Sequence, residues 1–433
     1  MNMEYTNNKS GFARSITLKG IIVGAITMIM LIPGCLVQEL ISERMQTRDE
    51  AVRKIDAKWS YDQTVSGPIL AIPYSQVTSS GNSIVSEYTF NIIPENLDIT
   101  TKLFPEERYY GIYKTILYKS KITIKGSFSP VNEETLPDNK IIYWNKAYMK
   151  LGVSDLRGIS DNIKFKINGE TFSVQASGKS DNLINEVLLV NIGNASKDST
   201  LDFDCEVELK GSHSINFLPT GKTTAVSIEG AWPDPGFIGN YTPDYTLDGK
   251  SFKADWRILH FNRSIPDSWI GNNAGFDQDM SFGVSLVDTV DIYQQNMRSA
   301  KYSLMFIALT FVVFFFVEII GNKRIHPIQY LLVSVALILF YSLLLSISEA
   351  LGFGPAYLIS SVATIGLITG YTSSVFKNIK QTISLSLILT MLYSFLYVIL
   401  QLEQVALLAG SIGLFIILGI IMYFARKINW YNE

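Results

Sequence analysis

Glu318 has the strongest claim to chemistry in this sequence, because it is the sole charge in the apolar run from Ser303 to Ile320. A carboxylate at the centre of a bilayer-spanning helix costs about 2.5–3.5 kcal/mol, so such a residue is read by default as part of a proton or ion pathway. It lies near one end of its run, and Lys323, Arg324 and His326 follow within about two helical turns. A structural reading therefore stands beside the functional one, in which the carboxylate snorkels to the surface and pairs with Lys323 and Arg324. A second acid–base pair, Asp155 and Arg157, sits between Gly152 and Gly158. Its two charges suit a ligand carboxylate or phosphate, and equally a salt-bridged turn.

The remaining search for chemistry is short. The three histidines, His213, His260 and His326, have no second ligand at metal spacing such as i, i+4. The sequence contains no Gly-x-Ser-x-Gly nucleophile motif, no P-loop, and no Gly-x-Gly-x-x-Gly opening a helix. No catalytic set, cofactor site or metal site is expected, and no enzymatic activity.

The elements that must position these residues fall into two kinds. The chain has 433 residues, 48% hydrophobic and 17% charged, with the apolar residues concentrated at the two ends. Runs at 16–37, 303–320, 328–347, 355–376, 383–400 and 405–425 are each at least 18 residues long, enough for a helix to cross a hydrocarbon core of about 30 Å. Six spans follow. Lys9, Arg14 and Lys19, then Lys323 and Arg324, Lys377 and Lys380, and Arg426 and Lys427 all fall on one side if the helices alternate, while the opposite short loops hold Glu349 and Glu403. That pattern predicts cytoplasmic termini, 1–15 and 426–433, and a large outer insert at 38–300. Glu349 is expected to be solvated at the outer edge. Tyr302, Tyr330, Tyr423, Trp430 and Tyr431 are expected at the membrane interfaces. Gly366-x-x-x-Gly370, and Gly413 with Gly419, suggest close helix packing faces.

Two features of the N-terminal run compete. Ile32, Pro33, Gly34, Cys35 resembles a lipoprotein cleavage box, but hydrophobicity continues through Leu36 and Val37, which favours an uncleaved anchor. Cys35 and Cys205, the two cysteines, do not make a disulfide scaffold.

Within the insert, 38–57 has a narrow apolar stripe between charges and reads as a helical stem. From 58 to 297 short runs alternate with period two: Tyr88 to Ile93, Lys121 to Lys125, Phe165 to Ile167, Thr171 to Val174, Leu201 to Leu209, Thr224 to Ile228 and Phe252 to Trp256. Alternation marks half-buried strands. Asn168 and Gly169 accept the positive φ of a tight hairpin turn. The region is read as an antiparallel β-sandwich, of one unit or of two packed subdomains. An echo between Ile122–Ser127 and Val207–Ser212 speaks weakly for the second arrangement. The net charge of −3 and the lack of a basic stripe give no sign of a nucleic-acid partner.

Taken together, these residues resemble the CreD family of bacterial inner-membrane proteins from the first span to the last. The carrying segments are Ser66 to Pro73, Gly111 to Tyr113, Asp155 with Arg157 to Ile159, Trp232 with Pro233, Pro235 and Phe237, Lys301 with Tyr302, Ile307 to Phe311, His326 to Leu332, Ser348 with Glu349, and Asn429 to Tyr431. The resemblance implies an inner-membrane location, a periplasmic insert, and a role in cell-envelope integrity and the response to wall damage. It implies no established enzymatic activity. The expected partners are the lipid bilayer and an envelope protein or cell-wall component. A transporter or channel using Glu318 and the helix bundle is the alternative.

Overall fold

The computed structural model describes residues 16–77, 84–131, 140–177, 186–193, 199–271, 280–286, 291–320, 325–402 and 405–426. It divides into two units, Met1–Asp49 with Val290–Glu433, and Glu50–Thr289.

In the second unit the period-two alternation becomes two facing sheets. The strand Phe252–Leu259 alternates buried and exposed residues along its whole length, and Leu201–Ser212 does so over most of its own. One sheet runs from edge to edge through Asp244–Leu247, Phe252–Leu259, Thr223–Gly230, Asn96–Tyr110, Tyr113–Phe128, Leu201–Ser212, Lys164–Ile167 and Glu170–Phe172. The other runs through Gly236–Gly239, Phe282–Ser285, Ser214–Phe217, Gln63–Val77, Ala147–Val153, Glu186–Gly193 and Val174–Ala176. Gln63–Val77 in addition pairs with Ile84–Ile92 and Lys140–Ile142. Two pairings are parallel, Gln63–Val77 with Ser214–Phe217 and Thr223–Gly230 with Asn96–Tyr110, so the sheets are mixed rather than purely antiparallel.

Inward residues of both sheets form a large core that includes Leu70, Met149 and Phe282 from one and Ile124, Phe203 and Trp256 from the other, and a smaller cluster gathers Ile69, Ile93, Leu218, Ile265, Trp269 and Met280. Each such side chain, fully buried, contributes about 1.5–3 kcal/mol. The large core draws on both sheets, and Glu50–Thr289 forms one compact unit. The echo segments lie in adjacent antiparallel strands, with Ile122 opposite Val207 and Ile124 opposite Cys205. They are alike because both present alternate residues to the same core. The Asn168–Gly169 turn has φ values of 48° and 87° and joins Ile167 to Glu170 as a two-residue hairpin.

The first unit is helical: α1 Ile16–Ile29, α2 Leu31–Trp59, α3 Ile292–Lys301, α4 Ser303–Ile320, α5 Pro327–Leu351, α6 Phe353–Phe376, α7 Ile379–Gln401 and α8 Ala406–Ala425. The end of α2 belongs to the sandwich unit. Only Met30 separates α1 from α2. Among the described residues four helical stretches are long and apolar enough to cross a membrane, and a fifth if α3 and α4, bent by 45° at their junction, count as one; α8 contributes a shorter apolar stretch, Leu408–Tyr423. Connections are short. Gly352 alone joins α5 to α6, with the φ of 78° that favours glycine.

One packing expectation is corrected here, and of the second pair Gly413 packs closely while Gly419 has open space. Gly366 and Gly370 face outward, with no atom of another residue within 4 Å of where a Cβ would stand. Gly413 does serve close packing, since a Cβ there would collide with the Phe395 ring of α7.

Candidate functional site

Two acids of the helical unit, Glu318 and Glu349, each gather a cluster of polar partners, at different levels. The first is built on Glu318. Its side chain is 5% exposed, its carboxylate is paired with Lys19 of α1, and it accepts hydrogen bonds from Tyr330 Oη at 3.0 Å and from the backbone N–H of Ile325 at 3.1 Å. Snorkelling to solvent is therefore not what Glu318 does. An acid reaches water only if its stem points outward, and this one points between α1 and α5, where a lysine 299 positions away supplies the charge. Lys323 and Arg324 lie outside the described residues. Tyr330, expected at a lipid interface, is instead buried as a ligand of this carboxylate.

His326 has a local task. It is the N-cap of α5: its Nδ1 accepts from the N–H of Ile328 at 3.3 Å, and Gln329 Oε1 accepts from the N–H of His326 at 3.0 Å. Pro327 at the first helical position completes the start signal. The His-Pro-x-Gln sequence is thus read as a helix start.

The second cluster is built on Glu349, at the other end of α5. Arg44 of α2 binds it with two hydrogen bonds, 2.8 and 2.6 Å, and Tyr293 Oη donates a third at 3.0 Å. Beside it Arg48 meets Asp291 at 2.9 Å and lies over the Tyr293 ring, and Asn296 Nδ2 donates to Ser348 Oγ at 2.8 Å. Glu349 is not solvated, its side chain being 12% exposed. The cause is the stem, whose Arg44 the fold brings onto the end of α5.

The third cluster, in the sandwich unit, holds Asp155 and Arg157. Asp155 caps a short 3-10 turn, Leu156–Gly158, and receives Arg157 Nε at 2.9 Å, Arg157 Nη2 at 2.8 Å and Ser60 Oγ at 3.0 Å. Burial opposes ionisation of this carboxyl, but these hydrogen bonds outweigh it and hold its pKa below the ordinary value. Arg157 Nη1 then donates to the carbonyl of Ala57 at 3.1 Å, in the last turn of α2, where a cation suits the helix dipole. Gly158 is required by space: a Cβ would come within 2.5 Å of the Lys210 carbonyl and 2.6 Å of Gln63 Nε2. The salt-bridged turn is a clamp on the end of the stem.

A further contact on the stem had no signal in the sequence. His213, held at a φ of 54°, brings Nε2 to 3.0 Å from Asp56 of α2. That hydrogen bond raises the imidazole pKa. Burial likewise pushes up the carboxyl of neighbouring Asp62. Among the described residues no group of three His, Cys, Asp or Glu side chains is placed to hold a metal ion.

A family model described as inner membrane protein CreD matches residues 15–431. The inner membrane protein CreD of Escherichia coli (strain K12) is 29% identical over 415 residues, covering 93% of this chain and 91% of that protein. Among solved structures, the M1 zinc metallopeptidase of Deinococcus radiodurans aligns at a TM-score of 0.19 and 8% identity, covering 41% of this chain and 42% of its own. A variant of that enzyme aligns with the same score and 7% identity, over 40% and 39%. Scores this low carry no argument.

Proposed function

The chain belongs to the CreD family of inner membrane proteins, and on that premise we propose that it is a non-enzymatic support of cell-envelope integrity, acting through a periplasmic β-sandwich tethered to the membrane. The observation that carries the reading is that α2 is fastened at its middle and again in its last turn. Arg44 and Arg48 bind Glu349 and Asp291 in the helical unit, and Arg157 and His213 bind Ala57 and Asp56 in the sandwich unit. A stem held this way suits a domain whose work depends on staying at the membrane. Tethering confines the sandwich to one surface and raises its effective concentration toward an envelope protein or cell-wall component.

The finer topology belongs to the same proposal. Six crossings, with both termini cytoplasmic and the sandwich periplasmic, place Lys19, Lys377, Lys380 and Arg426 on one face, as basic residues prefer. Tyr330, which binds Glu318, and Glu349 are 19 positions apart in α5. At 1.5 Å per residue the two clusters are about 28 Å apart along that helix, close to one hydrocarbon thickness of about 30 Å. They mark the two faces of the bilayer.

The test is complementation. Cells lacking the protein should lose tolerance of wall- or membrane-directed stress, and the whole chain should restore it, while a secreted sandwich or the helices without the sandwich should not. Full restoration by the helices alone would remove this reading and favour transport through the bundle.

A further inference from the structure

Between α4, α7 and α8 lies an apolar groove of about 800 Å³. Its walls are side chains such as Val313 on α4, Ile388 and Phe395 on α7, and Ile417 on α8. The lining on α7 extends from Lys380 to Phe395, about 22 Å at 1.5 Å per residue, the length of a long acyl chain. One end differs from the rest. Lys380, Gln381 and Ser384 line it, with Val317 and Ile421 from the neighbouring helices at the same end. Gln381 Oε1 is buried without a hydrogen-bond partner. Lys380 is exposed, and among the described residues no carboxylate is paired with it. Lys377 precedes it in the connection from α6, and no acid lies between the two cations in sequence.

We propose that this groove is a binding site for an anionic phospholipid, one acyl chain lying along α7 and the headgroup held at Lys380 and Gln381. The ligand chemistry follows from the lining. The apolar length accepts a hydrocarbon chain, the lysine ammonium meets a phosphate, and the amide oxygen accepts from a headgroup hydroxyl. Lipids that merely coat a bundle need neither of the last two. A cation near an anionic lipid surface is worth on the order of 1 kcal/mol, or about fivefold in occupancy. The site rests on α4, α7 and α8 crossing the bilayer, and the test separates the two claims.

The full chain is reconstituted in phosphatidylcholine vesicles containing a trace of phosphatidylglycerol with a photoactivatable group on its acyl chain. Illumination should label groove positions such as Ile388 and Ile417 in preference to lipid-facing positions of α6 such as Leu358 and Val362. Unlabelled phosphatidylglycerol should suppress the groove labelling, and added phosphatidylcholine should not. Lys380→Ala should lower it about fivefold, and Ile417→Trp, which fills the groove and leaves Lys380 in place, should abolish it. Even labelling of α6 and the groove, or equal competition by the two lipids, would overturn the site. No label on either would overturn the spanning arrangement beneath it.

Discussion

Arg44 and Glu349, 305 positions apart, are joined by two hydrogen bonds of 2.8 and 2.6 Å, the forked geometry that a guanidinium and a carboxylate share. This pair and the Lys19–Glu318 pair have the same form. In each, the N-terminal helical segment supplies the cation and the late helices supply a buried acid. The segment made first is thus paired with acids made late, at two levels about 28 Å apart along α5.

Cutting the Arg44–Glu349 link should cost stability without changing the fold. Arg44→Ala or Glu349→Gln is expected to lose about 1–3 kcal/mol, as for hydrogen bonds to charged groups. The double variant should lose less than the sum, because both single changes break one contact. Unfolding of the purified protein in detergent measures this, and strict additivity would show that the two side chains act apart.

At Glu318 the order of the effects is the informative quantity. Lys19→Met leaves a buried carboxylate without its cation, a change of about 3–5 kcal/mol. Glu318→Gln leaves Lys19, whose side chain is 32% exposed and can turn toward water, so it should cost less. Combining the two should recover much of the loss from Lys19→Met. The same detergent unfolding decides it, and equal losses for the two single variants would contradict the burial asymmetry.

The clamp on the stem should be sensitive to one methyl group. Gly158→Ala forces a Cβ toward the Lys210 carbonyl, an overpacking cost of about 1–3 kcal/mol. Limited proteolysis should then cut near Trp59 and Ser60 faster than in the unaltered chain. An unchanged cleavage rate would mean that the clamp does not hold the helix end.

The sandwich unit should lose stability with pH in both directions, for different residues. The folded pKa of His213 is raised above its ordinary 6.5 by Asp56, so that contribution is complete below 6.5 and is lost as pH rises through the raised value. Asp155 is lowered from 3.8, so its contribution is present above 3.8 and is lost as pH falls through the lower value. Asp62, raised by burial, works in the opposite sense on the acid side. In thermal unfolding across pH, His213→Gln should flatten the alkaline limb and leave the acid limb, whereas Asp155→Asn should flatten the acid one. Identical profiles for both variants would contradict the assignment.

Much of this fold was legible because it is periodic. Alternation located strands such as Leu201–Ser212 and Phe252–Leu259 but not Gln63–Val77 or Asn96–Tyr110, positive-φ residues located the hairpin at Asn168 and Gly169, and the turn at Asp155 and Arg157 was readable from spacing alone. The partners were not. Lys19 and Glu318 meet only through tertiary packing. A stripe on one helix does not say which helix will cover it, so the helical stem at 38–57 was legible but the partner of Arg44 was not. Arg157 reaches a backbone carbonyl, which carries no residue signature. The Gly366–Gly370 spacing misled for the opposite reason: small residues permit close approach but do not supply the neighbour.

The proposed topology puts the two charged clusters at opposite faces of the bilayer and the β-sandwich in the periplasm. Cysteine accessibility tests this directly in a background where the native thiols are removed by Cys35→Ser and Cys205→Ser. With the outer membrane permeabilised and the inner membrane sealed, Asn168→Cys should react with a membrane-impermeant thiol reagent, and Asn378→Cys, between α6 and α7, should react only after the inner membrane is opened. Labelling of Asn378→Cys in sealed cells, or protection of Asn168→Cys, would contradict it.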